Sequence, residues 1–290
     1  GADDDQARIG WFYEKGEGTE PDAFQAAMWY KKSAEQGNKY AQNLLGLLQI
    51  EGRGTEINLS SGCRWIEKSA EQGLAEAQHN IGYYYSKDGV CGENPAKAVQ
   101  FLEKAAQQGY SDAAFHLGRI LVLGEGIAAN PAQGLAWLEK AQQKNNIKAV
   151  GFLGWMYLRD NRGVKQDLDK ASSLLQLAAA AKDPYALTGL GWMYAKGRGV
   201  PLDENEAERL YLLAAMMGHS EAQYRLAILL LNTHETGAAK DLIKGYAWLT
   251  LAAREDQDAK QLLQETPIRQ ADIEVQVASL VNQWRVGQAL

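Results

Sequence analysis

Ala77–Gly109, AQHNIGYYYSKDGVCGENPAKAVQFLEKAAQQG, holds the pattern that decides the fold. Counting from Gly82, Ala77 stands at −5, Ile81 at −1 and Tyr85 at +3, a spacing of three and four that lies on one side of a helix. The same positions recur along the chain. Gly10, Gly46, Gly82, Gly118 and Gly154 follow each other at intervals of 36 residues, and Gly191 and Ala227 continue the series at 37 and 36. Before each stands an aliphatic residue: Ile9, Leu45, Ile81, Leu117, Leu153, Leu190 and Leu226. Ala41, Ala77, Ala113, Ala149, Ala186 and Ala222 hold −5. A glycine inside a helix costs about 0.5–1 kcal/mol against alanine. Its recurrence therefore predicts a place where a side chain would collide with a packed neighbour.

The second half of each unit repeats as well. A Gly-x-Gly loop (Gly16/Gly18, Gly52/Gly54, Gly124/Gly126, Gly197/Gly199) reads as a helix C-cap and tight turn. A phosphate loop would need a preceding strand and a third glycine, and neither is present. A second helix follows with a small residue at +16 (Ala26, Gly62, Ala98, Gly134, Ala207) and a bulky one at +19 (Trp29, Trp65, Phe101, Trp137, Leu210), with Leu174 and Trp248 matching after short insertions. Gly37, Gly73, Gly109 and Gly218 close the unit, with Asn145 standing in once. A period of this length marks stacked two-helix units. The prediction is an all-α solenoid of seven such repeats over residues 1–256. The tail, residues 257–290, changes pattern to a stripe of Ile273, Val277, Leu280 and Trp284 and reads as a helical cap on one continuous stack.

Together the two halves, A-x-x-x-L-G-x-x-Y-x-x-G-x-G and A-x-x-W-x-x-x-A-A-x-x-G, resemble the Sel-one-like repeat (SLR) family, related to tetratricopeptide repeats. They show most cleanly in Ala77–Gly109 and Ala186–Gly218. The resemblance implies a right-handed α-solenoid with first helices on the concave side. It also implies a role in holding other proteins in the bacterial envelope or in secretion.

Composition bounds the rest. Hydrophobic residues make up 46 % and charged residues 23 % of the 290, ordinary for a folded chain. A net charge of −6 without a basic cluster argues against nucleic acid. No apolar run is long enough for a membrane helix. Gly1 precedes Gly10 by nine residues, as Gly37 precedes Gly46, so the chain starts on a repeat boundary. That is expected of a trimmed product and leaves a removed export signal open. Cys63 and Cys91 read either as two separate thiols or as a disulfide requiring an oxidising compartment. The expected location is periplasmic or secreted, with the cytoplasm as the alternative.

The stripe −6, −3, +1, +4 lies on the side of the first helix away from much of the packing stripe. It is rich in the residues that dominate interfaces, where a solvated helix would carry Lys, Glu or Gln. The candidate protein-binding residues are Trp11, Tyr40, His79, Tyr83, Phe115, Arg119, Trp155, Tyr185, Trp192 and Tyr224. Trp155 and Trp192 share the +1 register in consecutive units, which predicts neighbouring rings. The competing reading is packing between units.

No catalytic, cofactor or metal site is expected. His79, His116, His219 and His234 are spread over units, although His79 and His116 fall close in register. His234-Glu235 lacks the second histidine of a zincin helix, and no serine sits in a nucleophile elbow. The expected partner is another protein. An adaptor leads, an immunity protein neutralising a secreted effector such as a lipase is the alternative, and an envelope hydrolase lacks its reactive cluster.

Overall fold

Glycine at the repeat position lets two helices cross at close range in six of the seven hairpins, and Ala227 takes that place in the seventh. The computed structural model describes residues 1–18, 20–86, 90–158, 164–232, 239–266 and 271–285. Sixteen helices run through them. The first unit pairs α1 (Ala2–Lys15) with α2 (Ala23–Glu35), α3 (Lys39–Glu51) with α4 (Leu59–Glu71), α5 (Ala75–Tyr85) with α6 (Pro95–Gln107), and α7 (Ser111–Leu123) with α8 (Pro131–Gln143). The second pairs α9 (Ile147–Tyr157) with α10 (Leu168–Ala180), α11 (Pro184–Lys196) with α12 (Glu204–Met216), and α13 (Ser220–Asn232) with α14 (Ala239–Ala252). Two further helices, α15 (Gln257–Glu265) and α16 (Ala271–Arg285), pack on α14. Among the described residues there is no strand, only an isolated bridge at Val164. The all-α repeat architecture is as the period predicts.

The chain gathers into two compact units, Gly1–Asn146 and Ile147–Leu290. Inside each, first helices of successive repeats adjoin, α5 with α7 in one and α9 with α11 and α11 with α13 in the other.

The glycine crossings are tight. A Cβ on Gly46 would lie 2.5 Å from Ile66 Cγ1 and 2.7 Å from the carbonyl oxygen of Gly62, and one on Gly62 would lie 2.7 Å from the carbonyl oxygen of Gly46. Gly118 and Gly134 repeat the arrangement, with 2.8 Å and 2.7 Å to each other's carbonyl oxygens. The side chain that fills the space over the glycine is the one that follows the bulky position: Tyr30 over Gly10, Ile66 over Gly46, Leu102 over Gly82, Leu138 over Gly118, Leu175 over Gly154 and Tyr211 over Gly191. All six are buried. One residue turns a helix by about 100°, so the +19 rings lie beside the crossing. There Lys32, Lys68, Lys104 and Lys140 cover Trp29, Trp65, Phe101 and Trp137, with the ammonium 3.9–5.5 Å from the ring centroid.

Termini are capped by rule. Asp22, Asn58, Asn94, Asn130, Asp167 and Asp203 stand before the second helices, and each side chain accepts a hydrogen bond from a backbone N–H of the first turn. Gly16, Gly52, Gly124 and Gly197 end first helices in the left-handed region, as the loops predict. Asn145 takes positive φ as expected of a glycine substitute, and Lys182 does so in the fifth repeat, where the sequence gives no warning. Buried Gln42 donates to Ala34 O and accepts from Gln72, and Gln78 does the same with Ala70 O and Gln108, so polar groups between repeats are satisfied in register.

Cys63 and Cys91 form a disulfide with Cα atoms 5.6 Å apart. It ties α4 to the segment between α5 and α6, in a cluster with Ile66, Tyr85 and Phe101. In the C-terminal stripe, Val277 is buried and Leu280 half-buried, while the side chains of Ile273 and Trp284 lie outside the described residues. No described helix is long and apolar enough to cross a membrane.

Candidate protein-binding faces

The outward side of each first helix is fixed by the glycine on its inward side, so residues three or four apart on that side surface together. In the first unit this places Trp11 at 37 % exposure, Tyr40 at 54 % and Tyr83 at 40 %. His79 is half-buried and joins Tyr83 in a ring cluster: His116 lies 5.4 Å from His79 and 5.0 Å from Tyr83 between centroids, and Tyr110 lies 5.0 Å from His79. The register had placed His79 and His116 close, and they meet. Tyr110 was missed because it precedes α7 rather than lying on its stripe. Phe115 is buried and belongs to the packing beneath His116, a correction to its reading as a surface residue. Arg119 is half-buried and donates through Nη1 to Glu125 at 2.7 Å, so its charge is matched within its own repeat.

The second unit brings its candidates together. Trp155 from α9, Tyr185 and Trp192 from α11 line one shallow cleft with Leu158, Thr188 and Gly189. Glu221 and Arg225 of α13 complete it. Trp155 stacks on Phe152 at 5.7 Å, and the guanidinium of Arg198 lies 5.9 Å from the Trp192 ring. Arg225 gives two hydrogen bonds, at 3.0 and 2.7 Å, to Glu221 Oε1. The pair sits at i and i+4, the one sequence signal that could have marked it. Tyr224 is half-buried, and burial followed by Asp258 and Asp256 of the α15 region raises its hydroxyl pKa.

Beside the cleft His219 meets the Tyr185 ring edge-on at 4.5 Å, and its Nδ1 lies 3.0 Å from Thr188 Oγ1. The threonine hydroxyl donates to Pro184 O at 2.7 Å, so the histidine Nδ1–H donates to the threonine oxygen. Burial lowers the His219 pKa below the ordinary value, with a smaller opposing effect of Glu221. The folded state therefore favours the neutral ring, and the unfolded chain binds more protons. The stability this contributes is present above the unfolded value of about 6.5 and is lost as the pH falls through the lower folded one. Proton NMR should find one histidine titrating below about 6.5. A His219 that titrates at or above that value would contradict its burial.

Among the described residues no group of three His, Cys, Asp or Glu side chains is placed to hold a metal. His234 and Glu235 lie outside the described residues.

Seven consecutive windows, residues 4–38, 39–74, 75–110, 111–146, 147–183, 184–219 and 220–257, match the Sel1 repeat. The chain belongs to the Sel1-repeat family. A protective antigen of uropathogenic Escherichia coli with an SLR fold superposes at a TM-score of 0.81 with 28 % identity, over 100 % of this chain and 62 % of that one. This chain thus spans less than two thirds of that protein. A Sel1 repeat protein from Oxalobacter formigenes matches at 31 % identity and a TM-score of 0.74, covering 86 % of this chain and 96 % of its own. An immunity protein from Pseudomonas aeruginosa overlaps at 21 % identity and a TM-score of 0.45, covering 76 % and 82 %, too loosely to carry its role across. No curated protein matches the chain. Sel1-repeat solenoids are typically protein-interaction scaffolds.

Proposed function

We propose that the chain is a non-catalytic scaffold that holds a partner protein on the aromatic side of its first helices, the concave side implied by the resemblance to tetratricopeptide repeats, as an adaptor in an oxidising compartment outside the cytoplasm. One observation carries the reading. Tyr40, Tyr83 and Tyr185 stand exposed and Trp155 and Trp192 half-covered where a helix facing only water would carry Lys, Glu or Gln. The Cys63–Cys91 bridge supports the location, because cytoplasmic thiols are kept reduced. No observation of its own favours an immunity role.

The test is capture of the partner on the purified chain, followed by affinity measurement. Trp155→Ala and Trp192→Ala should each weaken binding by about 2 kcal/mol, roughly 30-fold. Affinities are compared at matched folded fraction, since both rings are partly packed. A partner whose affinity survives both substitutions but falls on Lys32→Glu or Lys68→Glu would move the site to the second helices.

A further inference from the structure

We propose that a recess between the third and fourth repeats takes the ammonium group of a lysine side chain on the partner. The inference rests on the protein-binding reading and names one chemical group of what is bound.

The recess lies in the first unit, where the end of α5 and the start of α6 meet the loop after α7. Ser86, Glu93, Pro95, Ile120, Glu125 and Gly126 line a space of about 160 Å3. A Cβ on Gly126 would run into the Pro95 ring, so the two repeats touch beside it. Two carboxylates share the space. Glu125 spends Oε1 on Arg119 at 2.7 Å. Its Oε2 is buried and has no hydrogen-bond partner among the described residues. A buried carboxylate oxygen left without a donor is costly. Glu93 is exposed and, among the described residues, in no ion pair. Two carboxylates against the one guanidinium of Arg119 leave the recess negative.

Other junctions between repeats show what this position does. Glu125 stands between the two glycines of its loop, where Arg53 and Arg198 stand in theirs. Arg53 reaches back one repeat to Glu14, at 3.4 Å, while also holding Glu51 at 2.5 Å. Glu14 lies four residues past Gly10, as Ser86 lies four past Gly82, so Arg53 and Glu14 occupy the register of Glu125 and Ser86. Both oxygens of Glu14 are served there, the second by the Tyr30 hydroxyl at 2.8 Å. Arg198 likewise crosses to Gln166 of the repeat before it, at 3.3 Å. In both places a cation of the chain closes the junction. Between the third and fourth repeats the loop brings a carboxylate instead, and the complementary cation is one supplied from outside.

Lysine fits the recess in charge, shape and size. Its ammonium is a compact charge with three donors on a flexible four-carbon stem. Glu125 Oε2, the Glu93 carboxylate and Ser86 Oγ offer the acceptors. The Ser86 hydroxyl donates to Tyr83 O at 2.7 Å, which leaves its oxygen able to accept. Pro95 and Ile120 give the stem an apolar wall. A cavity on the order of 150 Å3 holds a group the size of a benzene ring, enough for this side chain. A hard divalent cation would ask for about six oxygens or more, and no described group of three His, Cys, Asp or Glu side chains is placed to hold a metal.

The probe is Nα-acetyl-lysine methylamide, titrated into the full chain and followed by proton–nitrogen NMR. Saturable shifts are expected at the backbone amides of Ser86, Ile120 and Gly126. The norleucine analogue, which keeps the carbon stem and lacks the ammonium, should produce none. Glu125→Gln and Glu93→Gln should each weaken binding by about fivefold or more. Glu93 is exposed, so its variant serves even where Glu125→Gln, which also loosens Arg119, fails to fold. Shifts that never saturate, a norleucine analogue that binds as well, or an affinity unmoved by Glu93→Gln would each overturn the proposal. So would putrescine, a free diamine, binding roughly tenfold more tightly than the lysine derivative. A captured partner indifferent to both carboxylate variants would overturn its lysine as the occupant. None of these results touches the wider scaffold reading, which stands or falls on the capture itself and the Trp155 and Trp192 variants.

Discussion

Gly46→Leu and Gly118→Leu are each expected to destabilise the first unit by about 3 kcal/mol or more. Even the alanine variants should lose stability, and they are the sharper test. Helix propensity alone favours alanine over glycine by about 1 kcal/mol, so a solvent-facing glycine would become more stable on substitution. At Gly46 the new Cβ would lie 2.7 Å from the carbonyl oxygen of Gly62, and at Gly118 it would lie 2.8 Å from that of Gly134. Backbone cannot swing aside as a side chain can, so the helices must separate and give up packing along their whole contact. Gly82 should tolerate alanine better, because its nearest neighbour is the Leu102 side chain, with Cγ at 2.8 Å and the backbone N at 3.1 Å. Gly37 makes a useful contrast. Nothing lies within 4 Å of its Cβ position, but its φ is +100°, so Gly37→Ala tests backbone strain without collision. Chemical denaturation of the four alanine variants should rank Gly46 and Gly118 as the most costly. A Gly46→Ala protein as stable as the parent would mean that α3 and α4 do not cross there.

How much of this was legible follows from what repeats. The 36-residue series exposed the two-helix unit and the crossing glycines, because one steric constraint recurs and leaves glycine in six hairpins and the small Ala227 in the seventh. The same logic found Asn145 as a stand-in at the unit's close but missed Lys182, since a lysine at positive φ is disfavoured and carries no pattern. It found the bulky series, whose four aromatic rings lie beside the crossing under lysines, but gave no sign that the next residue along is the one that covers the glycine. Register also predicted that Trp155 and Trp192 would share a surface, and they line one cleft. It could not say that Phe115 is buried while Tyr83 is exposed, because both lie on the outward stripe. The difference depends on the ring of His116 and the helix beside it, which are tertiary facts. The Glu221–Arg225 lip escaped for a related reason: an i,i+4 pair on a helix is ordinary until the rings next to it are known.

Removing the disulfide is expected to cost the first unit about 3.5 kcal/mol, the entropy of leaving open a loop of 28 residues in the unfolded chain. The bridge lies in an apolar cluster with Ile66, Tyr85 and Phe101, so a serine would add the penalty of an unsatisfied hydroxyl. Cys63→Ala/Cys91→Ala is therefore the cleaner variant, and reduction of the parent protein should reproduce most of its loss. If the two agree, the effect belongs to the cross-link and not to the altered side chains. The second unit contains no cysteine, so its own unfolding should not shift under reductant. That difference separates a local staple from a general effect of the reagent. The same bridge bears on the proposed compartment. Protein isolated from its native source, unfolded without reductant and treated with an alkylating agent should label neither cysteine. Two labelled thiols would remove the argument for an oxidising compartment, and they would also mean that the first unit lives with the lower stability of its reduced form.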